Sequence, residues 1–367
     1  MFTRSFRRRL SIPCLAFSIC FVACDESSGD VDSERADFGP QILDMVVSLD
    51  AMSDGMTLQD AASLDASPDG FIQADASLGL PDEGVSPDAQ LASPGCGRAP
   101  VFGPGSTYVD FDAGLEGDGM RRFLLSVPAN YDPNRPHRLY VGFAGRDALG
   151  DLMQRYLGLE RSPRDDEIFV YPDPLLRTFQ GWGMYRGWLL GPHGQPAHGD
   201  QDLNFTRQMV SYLQDNYCID PDRIFATGHS WGGDMAHVVS CFLGDIFRAA
   251  VPVAANRPYW FEPNGGGPVG CVGEIAVWTF FGIADDAFLG AQSYPGEFGD
   301  LVRDFWVRQN ACDGVEQNVT VDLDPDGECF VYSGCSDDVR YCLYGPSTGH
   351  QIPDYYPSVT MEWFRGF

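Results

Sequence analysis

The stretch RIFATGHSWGGDMAH, residues 223–237, constrains the fold of this chain more than any other. An apolar run leads into GHSWG at residues 228–232, and a helical pattern follows. The pattern G-x-S-x-G between a strand and a helix is typical of a nucleophile elbow, whose turn is so tight that the residues two positions either side of the serine must lack bulk. Such a turn lifts the serine hydroxyl clear of the sheet beside a helix N-terminus, which favours negative charge. We therefore predict Ser230 to be a nucleophile; the alternative is a glycine-rich turn whose serine only caps the helix.

A base for Ser230 must come from the six histidines of the chain. The base has to lie within hydrogen-bond reach, and in elbow folds the chain order is Ser, then Asp or Glu, then His. Three histidines precede the serine. His229 is its immediate neighbour and should point away from the turn, and His237 lies two helical turns further on. This leaves His350, in a glycine-rich loop after the final strand, as the predicted base; the alternative is a surface-loop histidine.

The carboxylate that orients the base should directly follow the end of a strand that lies between Ser230 and His350 in the chain. The segment IAVWTFFGIADD, residues 275–286, is an apolar run followed by a turn that carries Asp285 and Asp286. We predict Asp285 as the orienting acid, with Asp286 as the next candidate. In the alternative interpretation both belong to a solvated turn, and the acid comes from a later loop.

Acyl transfer also needs hydrogen-bond donors for the tetrahedral oxyanion. One donor should be the backbone N–H of Trp231, directly after the nucleophile. The other should come from a loop after an early strand, here Ala144-Gly145-Arg146. We predict the backbone N–H of Arg146 as this second donor.

Through the rest of the chain, short apolar runs alternate with helical patterns. The predicted strands are residues 121–131, 138–145, 167–173, 223–228, 249–255, 275–282 and 339–345. The predicted helices are residues 202–217, 234–247, 297–310 and 358–367. This alternation predicts an α/β domain with a mostly parallel central sheet and helices on both faces.

The N-terminal quarter differs in composition from the rest. Residues 1–24 join a basic start to a short apolar run ending in FVAC, which is similar to a bacterial lipoprotein signal with Cys24 as the lipidated residue; the alternative is an ordinary signal peptide. Residues 25–95 hold 16 Asp and Glu against one Arg, so they cannot bury enough apolar surface to fold and are predicted to be a disordered acidic linker. Residues 96–367 form the predicted catalytic domain. We expect a monomeric, secreted or cell-surface lipoprotein that meets the membrane only through its lipid.

Charge and cysteine content narrow the function further. The formal net charge of −28 argues against a nucleic-acid binder, which needs clustered positive charge. Eight cysteines lie at or beyond Cys96, and an exported domain with an even number of cysteines is expected to form up to four disulfides. Metal binding is the alternative, but no CxxC pair is followed by a second at finger spacing. No nucleotide-binding fingerprint occurs, and we expect neither a metal nor a cofactor.

Several strings occur in an order that resembles a known family. They are CGRAP (96–100), VPANYDPNRPHRLYVGF (127–143), YCIDPDRIFATGHSWGGDMA (217–236), DIFRAAVPVAA (245–255), Cys271, NACDG (310–314) and YSGC (332–335). Together they are similar to the secreted feruloyl esterases and polyhydroxybutyrate depolymerases of carbohydrate esterase family 1, most of all to the feruloyl esterases. The resemblance covers nearly all of residues 96–367. It implies an α/β-hydrolase fold with Ser230 as nucleophile, Asp285 as acid and His350 as base.

The chain departs from the family pattern at two places. The family usually has His-Gly or His-Trp where this chain has Ala144-Gly145, and His-Gly where it has Phe281-Gly282. Neither position belongs to the triad, so we expect hydrolysis to survive and the acyl pocket to differ.

The family pattern also implies three disulfides, Cys96–Cys218, Cys241–Cys271 and Cys312–Cys335. The two remaining cysteines, Cys329 and Cys342, lie in CFVYSGCSDDVRYC, a sequence typical of a hairpin. If Ser333 pairs with Asp338 across the turn, the same register places Cys329 opposite Cys342, near bonding range. We infer a fourth disulfide from this register.

The resemblance implies an extracellular serine esterase that cleaves acyl esters on polysaccharide fragments through an acyl-enzyme. Trp182 and Trp188 are candidate substrate-binding residues that could stack on a sugar or phenolic group; the alternative is that they anchor the core or a loop. Two other functions stay open. A polyester depolymerase would use the same triad, and a catalytically silent surface protein could bind a glycan or a partner on a hydrolase scaffold.

Overall fold

The computed structural model describes residues 92–114, 119–179, 183–190, 200–258, 270–288, 293–314, 317–318, 324 and 326–367. The predicted signal segment, nearly all of the predicted acidic linker, Cys24 and Trp182 lie outside these residues. Within the described ranges, no helix has the length and apolar character needed to cross a membrane.

In the described part of the chain, ten strands form one sheet and two more form a separate hairpin. The sheet strands are β1 (Gly105–Asp112), β2 (Met120–Val127), β3 (His137–Phe143), β4 (Glu167–Pro172), β7 (Ile219–His229), β8 (Ala249–Val253), β9 (Ala276–Gly282), β10 (Gln317–Asn318), β11 (Glu328–Tyr332) and β12 (Val339–Tyr344). The hairpin consists of β5 (Leu176–Phe179) and β6 (Gly183–Arg186). The sheet order is β1-β2-β4-β3-β7-β8-β9-β12-β11-β10, with parallel pairing from β4 to β12 and antiparallel pairing at both edges.

Within the described ranges, four α-helices lie between strands and a fifth follows β12: α1 (Gly150–Leu157), α2 (Gln201–Asn216), α3 (Trp231–Phe242), α4 (Glu297–Gln309) and α5 (Tyr356–Phe364). Helix α1 packs on β3 and β4, α3 on β7 and β8, and α4 on β9 and β12. Every residue of β3, β4, β8 and β9 is buried, as expected for parallel strands covered on both faces. The predicted α/β fold is confirmed.

Several elements differ from their sequence prediction. Strand β1, the β5–β6 hairpin and helix α1 were not predicted, because β1 is mostly exposed and the hairpin strands have only four residues each. Helix α3 was predicted over residues 234–247 and is observed over Trp231–Phe242, so it begins three residues earlier and ends five residues earlier than predicted. Two residues past the end of α3, an added Cβ at Gly244 would lie 2.1 Å from the Val272 oxygen, so this position packs directly against a neighbouring backbone segment.

Four disulfides staple this domain, and they are the four pairs named above: Cys96–Cys218, Cys241–Cys271, Cys312–Cys335 and Cys329–Cys342. In the β11–β12 ladder, Cys329 lies directly opposite Cys342, as Tyr332 lies opposite Val339. This is the register inferred from the hairpin sequence.

The parallel pairing brings the carboxyl ends of β3, β7, β9 and β12 to one edge of the sheet. The loop that begins at Ala144 follows β3, Ser230 follows β7, Asp285 follows β9 and His350 follows β12. The crevice outside the carboxyl ends of an open α/β sheet is the usual place for a ligand. The predicted site residues therefore converge on this edge.

Candidate active site

Ser230 occupies a strained turn between β7 and α3. Its backbone φ is +57° and its ψ is −128°, a conformation that a residue with a side chain adopts rarely. The Ser230 N–H donates to the Val253 carbonyl at 3.0 Å, which ties the turn to β8. An added Cβ at Gly228 would lie 2.2 Å from the Gly232 oxygen, and one at Gly232 would lie 2.2 Å from the Phe143 oxygen. The two glycines of the elbow are therefore required by close backbone approach.

Ser230, His350 and Asp285 form a continuous chain of hydrogen bonds. The Ser230 hydroxyl donates to His350 Nε2 at 2.8 Å, and His350 Nδ1–H donates to Asp285 Oδ2 at 2.8 Å. Asp285 is completely buried, and its other oxygen accepts from the Ala287 N–H at 3.0 Å. A nucleophile, a base and an orienting acid require this connectivity.

The two neighbouring aspartates hold different parts of His350. While Asp285 accepts from the imidazole ring, Asp286 Oδ1 accepts from the His350 backbone N–H at 3.2 Å. Between the two alternatives left open by the sequence, the geometry selects Asp285 as the partner of the ring and gives Asp286 a place in fixing the loop.

His229, which sequence reasoning set aside, contacts the same loop. Its Nε2–H donates to the His350 carbonyl at 2.9 Å, and the two ring centroids lie 4.8 Å apart. Burial, reinforced by the charge of His350, lowers the pKa of His229 to about 3, so its ring stays neutral and keeps a single N–H to donate. The hydroxyl of Tyr156 in α1 accepts from the Ile352 N–H at 3.1 Å and so holds the same loop. No sequence pattern predicts such contacts with backbone groups.

The loop after β3 runs directly against the elbow. An added Cβ at Gly145 would lie 3.2 Å from the His229 oxygen and 3.8 Å from Ser230 Cβ. Trp231 is the first residue of α3, so its backbone N–H lies at the positive end of the helix dipole. Both predicted oxyanion donors, the N–H groups of Trp231 and Arg146, thus belong to segments that border Ser230.

The structure contradicts the interpretation of Trp188 as a substrate-binding residue. Its side chain is completely buried, so neither face of the indole is available to a substrate. The ring lies edge-on to Phe143 at a centroid distance of 5.5 Å, and its Nε1–H donates to the Ala144 carbonyl at 2.7 Å. A buried indole needs a partner for its N–H, and this one finds it in the loop after β3. Trp182 lies outside the described residues.

The positions that depart from the family pattern are both packed. Ala144 is fully buried and supplies the carbonyl that Trp188 binds. Phe281 is buried against Phe288 at 5.5 Å, and Phe288 in turn lies edge-on to the His350 ring at 5.8 Å. An aromatic group thus flanks the histidine.

A further acid, Asp234, lies in the first turn of α3. Its Oδ1 accepts from the Asn256 N–H at 2.6 Å. Burial raises the pKa of Asp234 to about 7, against the opposing effects of this hydrogen bond and of His350. Among the described residues, no cluster of His, Cys, Asp or Glu has the three members needed to hold a metal ion.

Comparison with known proteins finds similarity to hydrolases. A family model described as the prolyl oligopeptidase family matches residues 183–257, which include the elbow. Feruloyl esterase C of Emericella nidulans is 27% identical over 285 residues, covering 74% of this chain and 90% of that protein. Feruloyl esterase D of Neurospora crassa is 26% identical over 297 residues, covering 76% of this chain and 92% of that protein.

The solved structure of an acetyl xylan esterase from Aspergillus awamori superposes with a TM-score of 0.54 at 17% identity, covering 71% of this chain and 98% of that one. This likeness shows the fold, which is that of an α/β-hydrolase. The sequence similarity to feruloyl esterases, together with the family match over the elbow, indicates a serine carboxylic ester hydrolase. Within that class it is feruloyl-esterase-like.

Proposed function

We propose that this enzyme hydrolyses hydroxycinnamoyl or related acyl esters on polysaccharide fragments through an acyl-enzyme formed on Ser230. The observation that carries the proposal is the Ser230–His350–Asp285 hydrogen-bond chain. Similarity to feruloyl esterases over about three quarters of the chain supports the choice of substrate.

In this mechanism Ser230 Oγ attacks the ester carbonyl while His350 Nε2 accepts the hydroxyl proton. The buried Asp285 carboxylate holds the imidazole in the tautomer that leaves Nε2 free to accept, and stabilises the imidazolium that forms. The N–H groups of Trp231 and Arg146 donate to the developing oxyanion. His350 then protonates the leaving sugar oxygen, and a water molecule that His350 deprotonates releases the acid and restores Ser230.

The setting in which the enzyme works forms part of the proposal. We propose that residues 1–24 direct export and that Cys24 is lipidated, so that the acidic segment 25–95 tethers the domain, residues 96–367, outside the membrane as a monomer. The four disulfides support an oxidising compartment. Radiolabelled palmitate should enter the full-length protein and be absent from Cys24→Ala; equal labelling of both would contradict the anchor.

The substrate is tested with a panel of esters and a matched Ser230→Ala control. We expect kcat/KM on methyl ferulate and feruloylated arabinose to exceed that on hydroxybutyrate trimers, and Ser230→Ala to be inactive on all of them. Clearing of a polyhydroxybutyrate suspension without release of ferulate would reverse the ranking in favour of a polyester depolymerase. A folded wild-type domain without activity on any ester would instead favour the silent binding protein.

A further inference from the structure

The loop that carries the proposed oxyanion donor Arg146 is held by the end of β6 and the residues that follow it. Trp188 Nε1–H donates to the Ala144 carbonyl at 2.7 Å. Two residues earlier, Arg186 and Asp147 form a reciprocal pair: the Asp147 N–H donates to the Arg186 carbonyl at 3.0 Å, and the Arg186 N–H donates to Asp147 Oδ1 at 2.9 Å. The loop is thus bound on both sides of Arg146.

The backbone between these contacts is a tight turn. The Ala148 N–H donates to the Gly145 carbonyl at 3.2 Å, and Asp147 has a φ of +60°. A positive φ at the third position is the mark of a type II turn, which favours glycine or asparagine there. An aspartate keeps this conformation because its carboxylate is bound by the Arg186 N–H. Since the Gly145 carbonyl and the Arg146 N–H belong to the same peptide unit, fixing the carbonyl toward Ala148 directs the N–H the opposite way.

The binding segment is itself rigidly placed. Asp202 is fully buried and accepts from the Leu189 N–H at 2.6 Å and from Arg177 at 2.9 Å. An added Cβ at Gly187 would lie 2.8 Å from the Trp231 ring, so this segment also packs against the residue that follows the nucleophile. The Trp231 side chain and the residues on both sides of Arg146 are therefore in contact with the same short stretch.

We infer that residues 186–188 and Asp147 are positioning residues, which set the direction of the Arg146 N–H as an oxyanion donor. This inference rests on the proposed function, because it assumes that Ser230 forms a tetrahedral intermediate. In this inference Trp188 does not stack on the substrate. Its indole N–H binds the loop after β3, and the ring makes no contact with the substrate.

Two variants test the contacts independently. Trp188→Phe keeps a buried aromatic ring, smaller than the indole, and removes the N–H donor. Asp147→Ala removes the acceptor on an exposed residue, whose loss leaves the core intact. Because loss of an oxyanion donor costs about 10²–10³ in kcat, we expect its misdirection to lower kcat about 10- to 100-fold in each variant, with KM changed less than about threefold. Asp147→Asn keeps both an acceptor and the tolerance for positive φ, and should lose much less than Asp147→Ala. Asp245→Ala, which breaks an exposed ion pair with Arg207, serves as the surface control.

The decisive readout is the affinity for a trifluoromethyl ketone, which forms a tetrahedral adduct with Ser230. Its Ki should rise in parallel with the fall in kcat in both variants, while thermal unfolding of Asp147→Ala stays near that of wild type. A rise in KM confined to aromatic esters would instead show that Trp188 contacts substrate and would overturn the inference, as would wild-type kcat and Ki in both variants. If Ser230→Ala is as active as wild type, the proposed function itself is wrong.

Discussion

Asp285 binds the imidazole ring of His350 and Asp286 binds its backbone N–H, so substitutions of the two aspartates should have different effects on catalysis. In Asp285→Asn, the amide NH₂ can face His350 Nδ1 and donate to it, which leaves the ring proton on Nε2. That nitrogen then cannot accept the proton of Ser230, 2.8 Å away. Loss of tautomer control in such a triad costs about 10⁴ in kcat, or about 5 kcal/mol of transition-state stabilisation.

Asp286→Asn is the matched control, one residue away on the same turn. The asparagine Oδ1 can still accept from the His350 backbone N–H, which the aspartate binds at 3.2 Å. Because the imidazole tautomer is untouched, we expect kcat/KM within about threefold of wild type. Asp286→Ala removes one hydrogen bond worth about 1 kcal/mol to the loop and should cost up to about tenfold.

The assay is kcat/KM on p-nitrophenyl acetate and methyl ferulate at pH 8, with thermal unfolding as the check on folding. Equal losses in Asp285→Asn and Asp286→Asn, with both variants folded, would refute the assignment. A larger loss in Asp286→Asn would make that residue the orienting acid.

Three predictions concern stability. Burial lowers the pKa of His237 to about 3, so the free energy of unfolding of wild type should fall as pH falls from about 6.5. His237→Asn keeps an acceptor for Trp306 Nε1–H. In urea titrations this variant should reduce the slope of stability against pH by up to about 1.4 kcal/mol per pH unit. Because the pKa of Asp234 is raised, its ionised form disfavours folding above about pH 4 and most fully above pH 7. The free energy of unfolding of Asp234→Asn should therefore rise by about 2 kcal/mol relative to wild type between pH 4 and 8. An unchanged difference between the two proteins would contradict the burial argument. Removing Cys96–Cys218, which closes 122 residues, by the double alanine variant should lower the free energy of unfolding by about 5 kcal/mol in the chain-entropy account, and unchanged stability would count against it.

The residues of the candidate site could be found from sequence because strong local constraints mark them. A tight turn demands glycines around Ser230, and Asp285 follows a strand that is apolar except for Thr279 and buried throughout. His350 was reached by elimination along the chain order. Parallel strands then bring their carboxyl ends to one edge, so separate segments meet without any sequence signal for the contact itself.

What sequence could not give is the set of contacts made by or to backbone groups. Trp188 lies in a loop region where a tryptophan is equally compatible with a substrate surface and with the core. Its complete burial and its bond to the Ala144 carbonyl decide between them. His229 was expected to point away from the turn, yet it reaches the His350 carbonyl. Every residue except proline carries the same backbone donor and acceptor, so composition and spacing do not encode these bonds.

Peptide mapping after reaction with a fluorophosphonate tests directly whether Ser230 is the nucleophile. In wild type we expect one phosphonyl adduct, on the peptide that contains Ser230, formed rapidly because His350 Nε2 accepts the hydroxyl proton. Ser230→Ala should carry no adduct, and His350→Gln should react at least about 10³-fold more slowly. An adduct on a different residue, or none on a folded wild-type domain that hydrolyses esters, would contradict the account.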